Sequence, residues 1–336
     1  LNLNQKSVSE VHRFLFESLP VRGVLVRLSD VWTEILRRHA VGSSAPAYPA
    51  PVQNLLGEMT AAATLMHLNL RYPGSLTLQI LGDGPVQLAL VEVQPDLGLR
   101  ATATVVGGVA AGERLNSLIN QHGQGKCSVT LSPNASFPSQ PDYRGVSALS
   151  GRKRPEFEKL SEILEHHMQQ NGQLGATLVL AANDKVAAGL LIQSVPPAAE
   201  HQLRGGDASH ASQAEIDLNE DCSRIAILAS SLKREELLTL PGERILHRLF
   251  WQEKLLHLAR TESEPAPHFS CTCSHDRVRK MIFGLGPAEA QRVVAELGKI
   301  EVVCNFCGAK YQFDALDVTQ IFSVAGKPPS TSTAAC

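Results

Sequence analysis

Hydrophobic and polar positions along the chain change period several times, and each change marks an element. Val21–Leu28 alternates about Gly23 like a strand, and Asp30 stands where it can cap a helix through Trp32, Ile35 and Leu36. After a Ser/Ala/Pro loop at 42–51, residues 52–70 read as a helix that is apolar nearly all round (Leu55, Leu56, Met59, Ala62, Ala63, Leu65, Met66). A helix of that pattern belongs inside a core. Runs at 75–81, Val86–Val93 and 99–106 are strands, separated by Gly82-Asp83-Gly84-Pro85 and Gln94-Pro95-Asp96, which predicts an antiparallel meander. Weaker strands follow at 127–131 and 146–149, then a helix over 155–170 with Pro at its start. Segments 178–182 and 186–192 flank Asn183-Asp184 as a closing hairpin.

Beyond this core the pattern loosens. Residues 196–221 are rich in Ala, Gly, Ser and His and read as a flexible segment. Two helical patterns follow, 222–240 and 242–259, broken at Pro241-Gly242; the second carries Ile245, Leu246, Leu249, Phe250 and Leu256 among charges. A polar stretch at 261–267 leads into a cysteine-rich module, and the tail from 326 onward reads as disordered. The expected organisation is α+β: a layered mixed core domain (1–195), a flexible and helical linker (196–260), a small C-terminal zinc-binding domain (261–323) and a tail (324–336).

Charge narrows the function. Lys and Arg number 31 against 33 Asp and Glu, so no strong field draws nucleic acid or an anionic membrane. No run of eighteen apolar residues suggests a membrane span. The first 22 residues mix charges with apolar side chains and lack a signal peptide's apolar core, so the expected location is the cytoplasm.

The seven cysteines are unevenly placed. Cys127, Cys222 and Cys336 stand alone, whereas Cys271-Thr272-Cys273 and Cys304-Asn305-Phe306-Cys307-Gly308 form two close pairs thirty residues apart. In a reducing compartment such pairs are metal ligands or a redox device. Four soft ligands suit tetrahedral Zn²⁺, and Gly308 fits a tight turn with backbone N–H groups facing the sulfurs. Ser270 and Ser274 offer further donors, and Pro287–Leu297 can form a helix between the pairs, followed by a strand at 301–303. His268 and His275 are weaker ligand candidates beside four thiolates. A purely structural zinc ribbon remains open on spacing alone. Cys-x-Cys, however, is less usual in structural knuckles, and either pair can close as a local disulfide. Zinc-binding energy in small fingers is on the order of 10–16 kcal/mol and is folding energy, so oxidising the ligands converts a thiol switch into an order–disorder switch.

With these motifs the chain resembles the redox-regulated 33-kDa heat-shock chaperonin family. The Cys-x-Cys and Cys-x-x-Cys pairs are its hallmark. Family-like stretches include Arg22-Gly23-Val24-Leu25-Val26-Arg27-Leu28, the helix at 55–68, Leu76 to Pro85, Tyr143-Arg144-Gly145, Ala188 to Gln193 and Leu246-His247-Arg248-Leu249-Phe250. The resemblance implies an ATP-independent holdase, inactive when reduced with one Zn²⁺ per chain on Cys271, Cys273, Cys304 and Cys307. It implies that oxidants form Cys271–Cys273 and Cys304–Cys307 disulfides and release zinc, after which the protein dimerises and holds unfolding client proteins. Clients then pass to an ATP-dependent foldase system. Ile225, Leu228, Leu232, Ile245, Leu249, Phe250 and Trp251 are the candidates for client-binding surface in the active state. The chain departs from the family pattern at 196–221, at 42–46 and at Asn171-Gly172-Gln173.

Two rivals have a weaker basis. A zinc-ribbon nucleic-acid binder needs a basic face, yet residues 261–323 carry six Lys/Arg (Arg277, Arg279, Lys280, Arg292, Lys299, Lys310) against eight Asp/Glu. An enzyme lacks support: four thiolates close the coordination site that catalytic zinc needs, and no thioredoxin-like context surrounds Cys304 and Cys307.

Overall fold

The computed structural model describes residues 8–42, 47–70, 72–133, 142–149, 157–170, 175–194, 213–258 and 264–324. The chain forms two compact units: Leu1–Leu36 with Ala47–Ser270, and Arg37–Pro46 with Cys271–Cys336. The fold is mixed α and β, as the sequence pattern predicts.

The first unit holds two sheets. One comprises β1 (Glu10–Phe16), β2 (Val21–Leu28), β8 (Ala176–Ala182), β9 (Ala187–Ser194) and β10 (Leu255–Leu258), in the order β10-β1-β2-β9-β8. The other comprises β3 (Gly74–Leu81), β4 (Val86–Val93), β5 (Gly98–Val105), β6 (Lys126–Pro133), β7 (Tyr143–Ala148) and β11 (His268–Phe269), in the order β11-β5-β4-β3-β6-β7. The expected meander is β3-β4-β5, antiparallel throughout. The helix α2 (Ala50–Leu70), which follows α1 (Asp30–Gly42) and precedes the short α3 (Leu115–Ile119), contacts β2, β8 and β9 of one sheet and β3, β4 and β5 of the other. Its small residues Ala61, Ala62 and Ala63 let both sheets approach, and Thr60 and Thr64 donate back to Leu56 and Thr60 carbonyls at 2.7 and 2.8 Å. Both threonine hydroxyls are thereby satisfied inside the core.

Period-two alternation gives the first sheet two apolar faces. Val24, Val26, Leu28 and Leu191 join the core around α2. Phe14, Phe16, Val21, Leu25, Leu190 and Ile192 face the other way and are covered by α5 (Gln213–Ser230), α6 (Arg234–Thr239) and α7 (Gly242–Phe250). Gly23 is required on that second face: it pairs with Phe14, and an added Cβ would lie 2.2 Å from the Phe14 ring.

Several boundaries differ from the sequence reading. The strand β1 was not expected, because its charges blur the alternation; Arg13 and Arg27 spend theirs on Glu264 and Glu10. The 222–240 pattern is two helices, since Ser231 N bonds back to Ile227 and Leu228 carbonyls and Leu232 turns inward. The second pattern stops as helix at Phe250; residues 255–258 instead complete the ladder along β1. The flexible reading of 196–221 fails over 213–221, which open α5, while 195–212 lie outside the described residues. The helix expected over 155–170 is α4 (Leu160–Gln170), with Glu162 accepting from Glu158 and Lys159 N–H groups; Pro155 is outside the described residues. So are 43–46 of the expected 42–51 loop and the tail from 325, while Gly42 ends the helix Asp30–Gly42 and Ala50 and Pro51 open α2. Among the described residues no helix is long and apolar enough to cross a membrane.

The second unit contains α8 (His275–Leu285), α9 (Pro287–Leu297), the hairpin of β12 (Ile300–Val303) and β13 (Lys310–Phe313), and α10 (Ala315–Val324). Its core is seven buried residues: Val278, Ile282, Ala290, Ile300, Phe313, Val318 and Ile321. A core that small needs a staple to hold a fold.

Candidate metal centre

Four cysteines of this unit could hold a metal ion. Cys271 lies two residues after β11, and Cys273 precedes Ser274, the N-cap of α8, whose hydroxyl accepts from Arg277 N at 3.2 Å. Cys304 and Cys307 occupy the turn of the β12–β13 hairpin. Gly308 N donates to Cys304 O at 2.8 Å and Cys304 N to Ala309 O at 2.9 Å, with Gly308 at φ 71°, a left-handed conformation natural to glycine. The turn aims the Phe306 and Cys307 N–H groups at the Cys304 sulfur and the Ala309 N–H at the Cys307 sulfur.

All four sulfurs lie within 4.8 Å of one another, with Cys271–Cys304 at 3.7 Å and Cys273–Cys307 at 3.3 Å. A tetrahedral zinc site with Zn–S of about 2.3 Å has edges of about 3.8 Å. The donor set and its spacing therefore fit a soft tetrahedral cation. Protonation behaviour points the same way. The Cys304 thiol donates to Cys271 and holds it down to about 4, and the same shared proton pushes Cys304 up. Burial pushes Cys307 up to about 11. Crowded sulfurs thus share protons rather than all ionise, and a divalent cation removes the repulsion that prevents four thiolates.

Tyr311 was missed from sequence. Its hydroxyl donates to Cys273 Sγ at 3.1 Å, a bond that pushes the phenol up to about 12. Its signal is position: Tyr311 is two residues from the buried Phe313 and opposite Val302, on the strand that leaves the knuckle. The serines do not fill the donor role expected of them. Ser274 caps α8, and Ser270 N bonds Leu99 O on the sheet. His275 packs against Phe313 with ring centroids 4.4 Å apart and planes tilted by 34°, and His268 bonds Ala266 O through Nδ1 at 3.0 Å, so neither joins the sulfur group. Cys127 is fully buried and burial pushes its thiol up to about 12, which suits an inert residue.

Of the residues expected to meet clients, Ile225, Leu232, Ile245, Leu249 and Phe250 are buried against Phe14, Phe16, Leu25, Leu190 and Ile192. Leu228 is half-buried in the same cluster, whereas Trp251 is 67% exposed. Three polar attachments fix the helices. Arg27 donates to Leu237 O at 3.3 Å and Leu238 O at 3.1 Å, satisfying carbonyls at the end of α6. Glu10 accepts from Arg27 at 2.9 Å and from Gly242 N, the first residue of α7, at 2.9 Å. Arg234 reaches from α6 to Glu58 on α2 at 3.3 Å and to the Ala182 carbonyl.

The chain thus combines a mixed α/β fold with a C-terminal Cys-x-Cys and Cys-x-x-Cys cluster that could hold a metal ion. The family described as Hsp33 protein matches residues 9–314. A 33 kDa chaperonin of Chromobacterium violaceum is 37% identical over 320 residues, covering 95% of this chain and 96% of that protein. A 33 kDa chaperonin of Shewanella woodyi is 35% identical over 322 residues, covering 96% and 98%. The crystal structure of a 33 kDa chaperonin from Thermotoga maritima superposes with a TM-score of 0.68 at 18% identity, covering 94% of this chain and 98% of that one. The chain belongs to the Hsp33 family.

Proposed function

We propose that this chain is a cytoplasmic, ATP-independent holdase gated by oxidation of Cys271, Cys273, Cys304 and Cys307. The observation that carries the reading is the group of four sulfurs within 4.8 Å in a unit whose own core is seven residues. Bound there, one Zn²⁺ supplies the folding energy that so small a core lacks. The functional parts are the core (1–195), the linker (196–260) and the switch (261–323).

The residues themselves perform the gating. Oxidation pairs Cys271 with Cys273 and Cys304 with Cys307. For each pair two thiols yield one disulfide, with two electrons and two protons passing to hypochlorite, which leaves as chloride and water. Those sulfurs then no longer serve as thiolate ligands, and the module loses its staple. The linker helices α5–α7 follow: they are held by one apolar face and a few polar attachments, the kind of element that opens below the global unfolding energy. Their release uncovers Phe14, Phe16, Leu25, Leu190 and Ile192 together with their own buried side chains. Unfolding clients bind that surface, the oxidised chains pair as homodimers, and clients leave for an ATP-dependent foldase after reduction.

The reading is tested by counting thiols and metal. The reduced chain is expected to hold one equivalent of zinc, and hypochlorite to remove four thiols and the zinc together. Loss of thiols with zinc retained overturns it.

A further inference from the structure

Release of the linker uncovers an edge as well as a face. The strand β10 is the outermost strand of its sheet and pairs antiparallel with β1 through Arg13↔Leu258, Phe14↔His257, Leu15↔Leu256 and Phe16↔Leu255. Its side chains bury little: Leu256 and His257 are exposed, and Leu255 and Leu258 are only half-buried. The ladder of main-chain hydrogen bonds therefore does most of the holding. What supports it from outside is slight. Glu17 N donates to Lys254 O at 3.0 Å, and the Lys254–Glu17 ion pair at 2.6 Å is solvent-exposed, a kind of pair worth little.

The strand is also tied to the helix that covers the apolar face. Glu253 N bonds Phe250 O at 2.9 Å in the turn joining α7 to β10. Phe250 in turn packs on Phe14 and Phe16, at 6.0 and 5.1 Å between ring centroids. Lifting α7 therefore pulls β10 with it. What remains is an open edge on β1, with Phe14 and Phe16 on the face that α7 has left. An uncovered apolar edge is a template for a further strand.

We propose that β10 is an internal stand-in for client, and that the edge of β1 from Arg13 to Phe16 captures an extended, apolar segment of an unfolding polypeptide by antiparallel strand addition. The occupant follows from what it replaces. Leu-Leu-His-Leu is short, apolar in three positions of four and uncharged at its centre. Side chains opposite Phe14 and Phe16 share their face, so a segment with apolar residues at alternate positions gains contact with both rings. Main-chain pairing accepts any such sequence, which suits a protein that meets many clients. This inference rests on the holdase reading and adds the geometry of capture to it.

The probe is a fluorescent peptide with the sequence of residues 252–258, titrated into the full-length oxidised and reduced protein. Two further peptides carry backbone N-methyl groups, one at the Leu255 and His257 positions and one at the Leu256 and Leu258 positions. Amides of a strand point alternately to its two edges, so only one N-methylated peptide loses its ladder to β1. The parent peptide is expected to bind the oxidised form at least tenfold tighter than the reduced form. One N-methylated peptide is expected to lose at least tenfold and the other to stay within about threefold of the parent. Equal binding by all three peptides, equal loss by both methylated ones, or no binding by any of them overturns strand capture. Aggregation suppression is read on the same oxidised sample. Suppression without peptide discrimination sinks the edge proposal alone; discrimination without suppression sinks the holdase reading alone.

Discussion

Phe250 of α7 meets Phe16 of β1 edge to face, with ring centroids 5.1 Å apart and planes at 84°. This pair joins the linker to the sheet it covers, and Phe14 completes the cluster. Truncating a buried phenylalanine costs on the order of 3–5 kcal/mol. Phe250→Ala is therefore expected to loosen α7 while zinc stays bound, and to raise binding of an apolar dye by the reduced protein. Hydrogen exchange over 242–258 is the direct readout; protection equal to that of the parent chain would show that the ring does not hold the linker.

Glu10 and Arg27 make a second attachment, through Gly242 N and the Leu237 and Leu238 carbonyls. Arg27→Met keeps the stem but leaves those carbonyls without their charged donor, at a cost of about 1–3 kcal/mol. The expected consequence is activation at lower oxidant doses than the parent requires. An unchanged dose–response curve, with thermal stability also unchanged, would assign the arginine no part in docking.

Glu58 gives the linker contact a pH dependence. Burial, offset by Arg234, pushes its carboxyl from 4.5 up to about 7. A raised carboxylate binds its proton more tightly in the folded state, so stability falls as pH rises from about 4.5 to about 7 and is level above that. The full term is at most about 3 kcal/mol. Chemical denaturation between pH 5 and 8 should show a shallower loss in Glu58→Gln than in the parent chain. Identical slopes would contradict the assignment.

At the metal centre, Cys304→Ser removes one of four ligands and is expected to lower zinc affinity by at least tenfold. Tyr311→Phe deletes only the hydroxyl that donates to Cys273. It should keep its zinc and change the rate at which thiols react with oxidant. Competition with a chromogenic chelator separates the two variants; zinc retention by Cys304→Ser equal to the parent would mean that three sulfurs suffice.

Much of this architecture was legible in the sequence where one signal dominated. Val21–Leu28, Val86–Val93 and Pro287–Leu297 have the bounds the pattern predicted, because strict alternation or a Pro start leaves one solution. The cysteine pairs announced their own cluster. What escaped depended on partners distant in sequence. The strand β10 reads as a continuation of a helix, since Leu255-Leu256-His257-Leu258 has no period of its own and becomes a strand only against β1. The strand β1 hides behind charges neutralised by Glu264 and by interactions across the sheet. Tyr311 is 38 residues from Cys273 in sequence, and only the fold brings its hydroxyl to that sulfur.

Redox gating itself is tested most directly by light scattering from a thermally unfolding client enzyme, without ATP. Zinc-loaded reduced protein and hypochlorite-treated protein are compared at equal concentration. Suppression of aggregation by the oxidised sample alone, reversed when thiols and zinc are restored, is the expected result. Equal suppression by both samples, or by neither, would contradict an oxidation-gated holdase and leave the four cysteines a structural staple.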